Sequence, residues 1–252
     1  MDALVLAAGY ATRLYPLTQT KAKPLLEVAG KPMMEYVLDS LMTVPDLTDV
    51  FVVTNAKFAK DFEAWKTRYA QRHPKSKFTI VNDGSTDDAN KLGAIGDMQF
   101  VLRTQMLDHD LIVVAGDNLF DAPLTGFVRF CRRRNAPVVA LYDVKDLEAI
   151  KKYNNITTDA TGRVTFFEEK PAKPQSTLTA IALYFYPRRL LHMIHKYIRE
   201  GNNADQPGRL IQWLYTREPV YTYVLEGTWF DIGSMETLQH ANELFASRKS
   251  KA

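Results

Sequence analysis

Short apolar runs recur along the first half of this chain, each followed by a stretch of mixed polarity. Residues 3–7, 50–54, 78–81, 111–115 and 138–142 are rich in Val, Ile, Leu and Ala, and they predict short strands covered on both faces. Between them, residues 32–42 and 59–70 repeat their apolar side chains at helical spacing. This alternation predicts an α/β fold, a Rossmann-like, mostly parallel sheet with helices on both faces. From about Ile156 the pattern changes. Gly162 and Arg163 separate two strand-like runs, and residues 178–186 and 220–225 read as further strands. The second half therefore predicts an antiparallel edge and a lid over the ligand end of the sheet. One domain over residues 1–246 accounts for the whole pattern, and residues 247–252 read as a frayed tail.

Charge narrows the class. The 252 residues carry 32 basic and 29 acidic side chains, a net charge of +3. That balance excludes a general nucleic-acid or membrane-surface binder. The one strong basic run, Arg132 to Arg134, falls where a helix should end and reads as a solvated terminus complementing the helix dipole. A lone cysteine, Cys131, rules out an internal disulfide, and no long apolar span or cationic leader precedes the first core run. Both features predict a cytoplasmic protein. His192 and His195 share a helix face, but their Met, Ile and Tyr surroundings predict packing and not zinc.

Chemistry concentrates in four segments. The first, LAAGYATRLYPLTQTKAKPLL at residues 6–26, leaves the C-terminal end of the first strand, where open α/β sheets place their ligands. Small residues there (Ala7, Ala8, Gly9, Ala11) let backbone N–H groups approach an anion, while Arg13 and Lys23 bring full positive charge. The second, VVAGDNLF at 113–120, ends a strand in Asp117 at the same sheet edge and offers a hard oxygen ligand for a divalent cation. WFDIGS at 229–234 presents Asp231 between aromatic and apolar neighbours. FFEEKP at 166–171 runs from apolar into charged residues and stops at proline, as a pocket rim would.

Together these segments resemble the sugar-phosphate nucleotidyltransferase family, whose usual loop reads GxGTRxxPxT followed by PKxL. Ala11 stands where the family has its second loop glycine, and Ala22 where it has the proline before the lysine. The resemblance runs from Leu4 to about Ala241. It implies transfer of a nucleotidyl group from a nucleoside triphosphate to a sugar 1-phosphate, with pyrophosphate leaving and Mg²⁺ as cofactor. Leu6, Ala7, Ala8, Gly9, Ala11 and Thr12 would then bind the nucleotide, with Arg13 and Lys23 catalytic. Asp117 and Asp231 would hold the metal, Lys170 the acceptor phosphate and Glu169 the sugar hydroxyls.

Relatives read the base just after the third strand and with a glycine motif. Asn82 and Gly93 hold those places here, and Asn82 can both donate to and accept from a pyrimidine edge. dTTP or UTP is favoured, and a cytidylyl- or guanylyltransferase acting on another sugar or polyol phosphate is the alternative. Asn154 stands where relatives present backbone to the hexose, so it is a further candidate for sugar contact. A homo-oligomer is left open. Two other classes compete: a glycosyltransferase, which would normally show Asp-x-Asp where this chain has Gly116-Asp117-Asn118, and a silent nucleotide-sugar sensor, against which both lysines, Arg13 and both aspartates argue.

Overall fold

The computed structural model describes residues 1–74 and 77–249. Each apolar run of the first half forms a strand: β1 (Asp2–Leu6), then, after the short hairpin of β2 (Glu27–Val28) and β3 (Lys31–Pro32), β4 (Val50–Thr54), β5 (Phe78–Asn82) and β6 (Leu111–Ala115). β7 (Asn118–Phe120) follows directly, and β8 (Val138–Asp143) closes the first half. The second half adds β9 (Asn154–Thr158), β10 (Val164–Glu169), β11 (Leu178–Tyr186), β12 (Tyr221–Val224) and β13 (Trp229–Asp231). Helices α1 (Leu17–Thr20), α2 (Met33–Leu41), α3 (Ala59–Arg72), α4 (Ala94–Thr104) and α5 (Thr125–Arg134) precede β8. Then come α6 (Leu147–Ile150), α7 (His192–Arg199), α8 (Pro207–Leu214) and α9 (Met235–Lys249).

Among the described residues the central sheet has seven strands in the order β12-β8-β11-β6-β1-β4-β5. Alternation along each strand divides the core. Val5, Val52, Val114, Ala140 and Leu183 face α2, α3 and α5, whereas Leu4, Val53, Val113, Leu141 and Tyr184 face α4, α7 and α8. A smaller cluster, including Leu14, Val28, Leu119, Ile232 and Phe245, seats α9 over the β2–β3 and β7–β13 pairs.

The antiparallel strand is not at the edge. β11 lies between β6 and β8 and runs antiparallel to both, while β12 at the edge runs parallel to β8. An edge strand would leave one row of backbone N–H and C=O groups unpaired; β11 is paired on both sides, with Leu183 and Phe185 on one apolar face and Tyr184 and Tyr186 on the other. The lid expected of the second half takes shape as the antiparallel pair β9–β10, which packs on β11. At the C-terminus α9 continues through residues expected to fray, and Arg248 pairs with Asp121 and Thr228. Residues 250–252 of that expected tail lie outside the described residues. Arg134 donates to the Thr161 carbonyl and Arg132 pairs with Asp46, so the basic run does close a helix end. No helix among the described residues is long and apolar enough to cross a membrane.

The interior place of β11 has a measurable cost if disturbed. Leu183→Ala, at a position with no exposed surface, should lose about 2–5 kcal/mol in urea unfolding, and a loss below about 1 kcal/mol would contradict a fully enclosed strand.

Candidate active site

A cavity of about 600 Å³ opens where β1 and β6 end. The two strands finish level, Leu6 beside Ala115, and the Gly116 N–H donates to the Leu6 carbonyl at 2.8 Å. The loops that follow therefore leave the sheet side by side. Leu6, Ala7, Ala8, Gly9, Ala11, Thr12 and Arg13 line the cavity from one loop and Asp117 from the other. Ala11 holds a left-handed conformation, φ 48° and ψ 44°, which costs a residue with a Cβ about 1–2 kcal/mol. The Thr18 hydroxyl fixes it by donating to the Ala11 carbonyl at 2.8 Å. That backbone requirement is the physical reason for glycine at this place in the family pattern.

Asp231 arrives from the far end of the sequence. β13 pairs antiparallel with β7, placing Asp231 opposite Asn118 and so next to Asp117. Lys23, on a 3-10 turn spanning Lys23–Leu25, brings its Nζ to 2.6 Å from Asp117 Oδ2 with only 12 % of its side chain exposed. Asp231 is exposed on the cavity side, but the protein around it displaces part of its water, and this raises its carboxyl above the ordinary range. Lys23 pulls it back down, Asp117 pushes it up and Arg13 pulls it down again. Arg13 and Lys170 are exposed on the cavity wall and form no ion pair among the described residues. Two hard carboxylates side by side fit Mg²⁺, which takes one or two protein carboxylates and completes its shell with phosphate oxygens and water. Among the described residues no group of three His, Cys, Asp or Glu forms a self-sufficient metal cage.

The opposite wall comes from the β9–β10 pair and the start of α8. Glu169 is half-buried, and burial raises its carboxyl while Arg209 and Lys170 lower it. A Cβ on Gly208 would stand 2.6 Å from Glu169 Oε1, so the start of α8 lies directly against the Glu169 carboxylate. Lys170 also sits at positive φ, 48°, with its N–H donating to the Tyr153 carbonyl at 2.7 Å. Backbone strain thus flanks the cavity on both sides, at Ala11 and at Lys170.

Two expectations change. Asn154 lines the cavity, but its Oδ1 accepts from the Ala180 N–H at 2.7 Å and its Nδ2 donates to the Ala180 carbonyl at 3.1 Å. Its amide ties β9 to β11 and so has a structural part beside any contact to a sugar. Asn82 is exposed and is absent from the cavity wall. Strand alternation turns Asp83 inward in its place, and Asn82 Oδ1 accepts from the Gly84 N–H at 2.9 Å. Gly93 does line the cavity, at φ 78° and so close to Ala204 that a Cβ would meet its carbonyl oxygen at 2.6 Å.

Sequence reasoning missed several cavity residues. Lys91 bridges Asp88 and Asp205 at 3.0 Å each, and Lys152, Asp205 and Gln206 also line the wall. These come from loops with no periodic pattern. Asp97 did carry a signal, an acid on a helix face otherwise made of Ile95, Met98 and Val101. It is 5 % exposed, and its carboxyl is pushed up to about 8, first by burial and then by the charge and hydrogen bond of Asp83. The folded protein keeps a proton there that the unfolded chain releases at about pH 4, so stability falls as pH rises from about 4 to about 8. Glu169 and Asp231, also raised, contribute with the same sign.

Two measurements follow from this geometry. Asn154→Ala strands two buried main-chain groups of Ala180 and should cost about 1–3 kcal/mol by urea melt; an unchanged midpoint would show that the amide is not structural. Asp97→Asn should gain stability relative to the parent chain between pH 5 and 8, and a constant difference across that range would mean Asp97 ionises normally.

The chain is similar to known proteins along nearly its whole length. The family model described as "Nucleotidyl transferase" matches residues 2–248. The bifunctional protein GlmU of Methanocaldococcus jannaschii is 28% identical over 245 residues, covering 96% of this chain and 54% of that protein. The UTP–glucose-1-phosphate uridylyltransferase of Synechocystis is 28% identical over 259 residues, covering 100% of this chain and 65% of that protein. The chain thus spans a little over half to two-thirds of the length of these curated relatives. A crystal structure of UDP-glucose pyrophosphorylase complexed with UDP-glucose superposes with a TM-score of 0.82 at 21% identity, covering 98% of both chains.

Proposed function

Because the chain belongs to the nucleotidyl transferase family, we propose that it joins a nucleoside triphosphate, UTP or dTTP, to a sugar 1-phosphate, releasing pyrophosphate and forming a nucleotide sugar. The observation that carries this reading is the convergence of Arg13, Lys23, Asp117 and Asp231 on one wall of a cavity whose other wall carries Glu169 and Lys170. Similarity to a uridylyltransferase supports UTP as donor.

The acceptor phosphate oxygen forms a bond to the α-phosphorus while the bond to the pyrophosphate oxygen breaks. The attacking oxygen is already anionic, so no general base is needed, and catalysis rests on alignment and charge neutralisation. Arg13, exposed on the cavity wall, receives the leaving pyrophosphate. Lys23, buried and held by Asp117, presents a fixed charge to the triphosphate. Lys170, on the opposite wall, holds the acceptor phosphate, and Glu169 faces its hydroxyls. Asp117 and Asp231 would hold Mg²⁺, which when bound neutralises phosphate charge. The Trp229 indole N–H donates to Asn118 Oδ1 at 2.6 Å, which argues against the Asp-x-Asp pair of a glycosyltransferase.

Pyrophosphate release from a panel of nucleoside triphosphates and hexose 1-phosphates tests the reading, and silence across the whole panel would sink it. With the best pair, Asp117→Ala and Asp231→Ala should each lose about a hundredfold or more in kcat while unfolding normally. Lys23→Ala should weaken productive triphosphate use, and Lys170→Ala should raise KM for the sugar phosphate, each by about tenfold or more. Equal effects on both substrates would remove the division of roles.

A further inference from the structure

Beyond the end of β1, two hydrogen bonds tie the chain to the end of β4. The Ala7 N–H donates to the Val53 carbonyl at 2.9 Å, and Asn55 Nδ2 donates to the Ala8 carbonyl at 2.8 Å. Asn55 follows β4 directly, has no exposed surface and is absent from the cavity wall. Its Oδ1 accepts from the Phe58 N–H at 3.1 Å. With a carbonyl on one side and an N–H on the other, only one orientation of the amide satisfies both, so Nδ2 is the end that holds Ala8.

From Ala8 to Arg13, none of the six backbone N–H groups finds an acceptor among the described residues. A segment packed on protein pairs such groups, whereas a segment that receives an anion keeps them for it. Side chains alternate along the same stretch: Ala8 and Tyr10 are each 5 % exposed, and Gly9 between them is exposed on the cavity. Gly9 has no positive φ, and a Cβ there would meet nothing within 4 Å. The fold itself thus makes no demand for glycine at this position, and the space beside it belongs to the cavity.

The Ala8–Gly9 peptide joins these observations. In a trans peptide the carbonyl and the N–H that follows it point in opposite directions. A carbonyl turned inward to Asn55 therefore turns the Gly9 N–H outward, to the side on which Gly9 borders the cavity. We propose that Asn55 is a positioning residue for the reaction: its hydrogen bond to Ala8 holds this peptide so that the Gly9 N–H meets the polyphosphate of the nucleoside triphosphate. Without that bond the peptide plane can rotate and bring its carbonyl toward the anion, replacing a donor by a negative dipole end. The polyphosphate as ligand rests on the function proposed above; the held peptide does not.

The unmutated chain gives the first reading. In ¹H–¹⁵N spectra recorded with Mg²⁺, the Gly9 amide should shift as inorganic pyrophosphate is added, saturating with the Kd that calorimetry gives. A Gly9 amide that stays in place while pyrophosphate binds overturns the role of Asn55. Asn55→Ala should raise the Kd for pyrophosphate and the KM for UTP or dTTP by about tenfold or more, while KM for the sugar 1-phosphate stays within about twofold. Lower stability in urea with both constants unchanged, or an equal rise for both substrates, would make Asn55 a structural tie alone and overturn the proposal. Gly9→Ala should keep the parent's urea midpoint and bind pyrophosphate about tenfold or more weakly; binding at the parent's strength would mean that the Gly9 N–H does not face the anion. A Gly9 response to pyrophosphate in a chain that turns over no triphosphate would overturn the proposed reaction and leave the held anion loop. Turnover with a silent Gly9 amide would do the reverse, and a chain that binds neither pyrophosphate nor a triphosphate would overturn both.

Discussion

Everything at the site depends on β1 and β6 ending level. Their parallel register sets Leu6 beside Ala115, and one main-chain hydrogen bond, Gly116 N–H to the Leu6 carbonyl, carries the alignment one residue past the sheet. Gly116 has little freedom: a Cβ there would stand 3.1 Å from Val5 Cγ1 and 3.3 Å from both the Leu6 carbonyl oxygen and Pro24 Cβ. A one-residue slip between these strands would reverse their inward and outward faces. It would also carry Asp117 away from Lys23. The site is thus specified by the core, since the same register that buries Val5 and Val114 on one face brings the two loops together.

Charge around the cavity is divided by exposure. Lys23 is buried and paired, a fixed charge whose position is paid for by Asp117. Arg13 and Lys170 stand exposed on the cavity wall and form no ion pair among the described residues. The carboxylates follow the same division. Asp117 is engaged, Asp231 is raised by enclosure, and Glu169 is balanced between burial and two cations.

Much of this was legible in the sequence, for a physical reason. Strands covered on both faces must be continuously apolar, so residues 50–54 and 111–115 could be read directly, and ligand loops at their C-terminal ends followed from the fold class. The place of β11 was not legible, because pairing partners and direction depend on which edge is open when the chain returns, not on the nine residues themselves. At the site, motif residues whose chemistry is their charge fell where expected. Asn82 and Asn154 also hold local structure, and Asn82 lies off the cavity wall. An amide satisfies local backbone as readily as a ligand, and both were captured by neighbouring main chain. Asp97 was visible only as an anomaly, an acid on an apolar helix face.

The interior position of β11 also sets an order of events during synthesis. By residue 115 the strands β5, β4, β1 and β6 can already pair, but β6 then presents an open, apolar edge that only residues 178–186 can cover. Some sixty residues, including all of β8, must emerge before that partner exists. Until then the growing chain carries an unpaired template for any passing strand. The sheet is therefore completed from its middle, and the ribosome must deliver the keystone late.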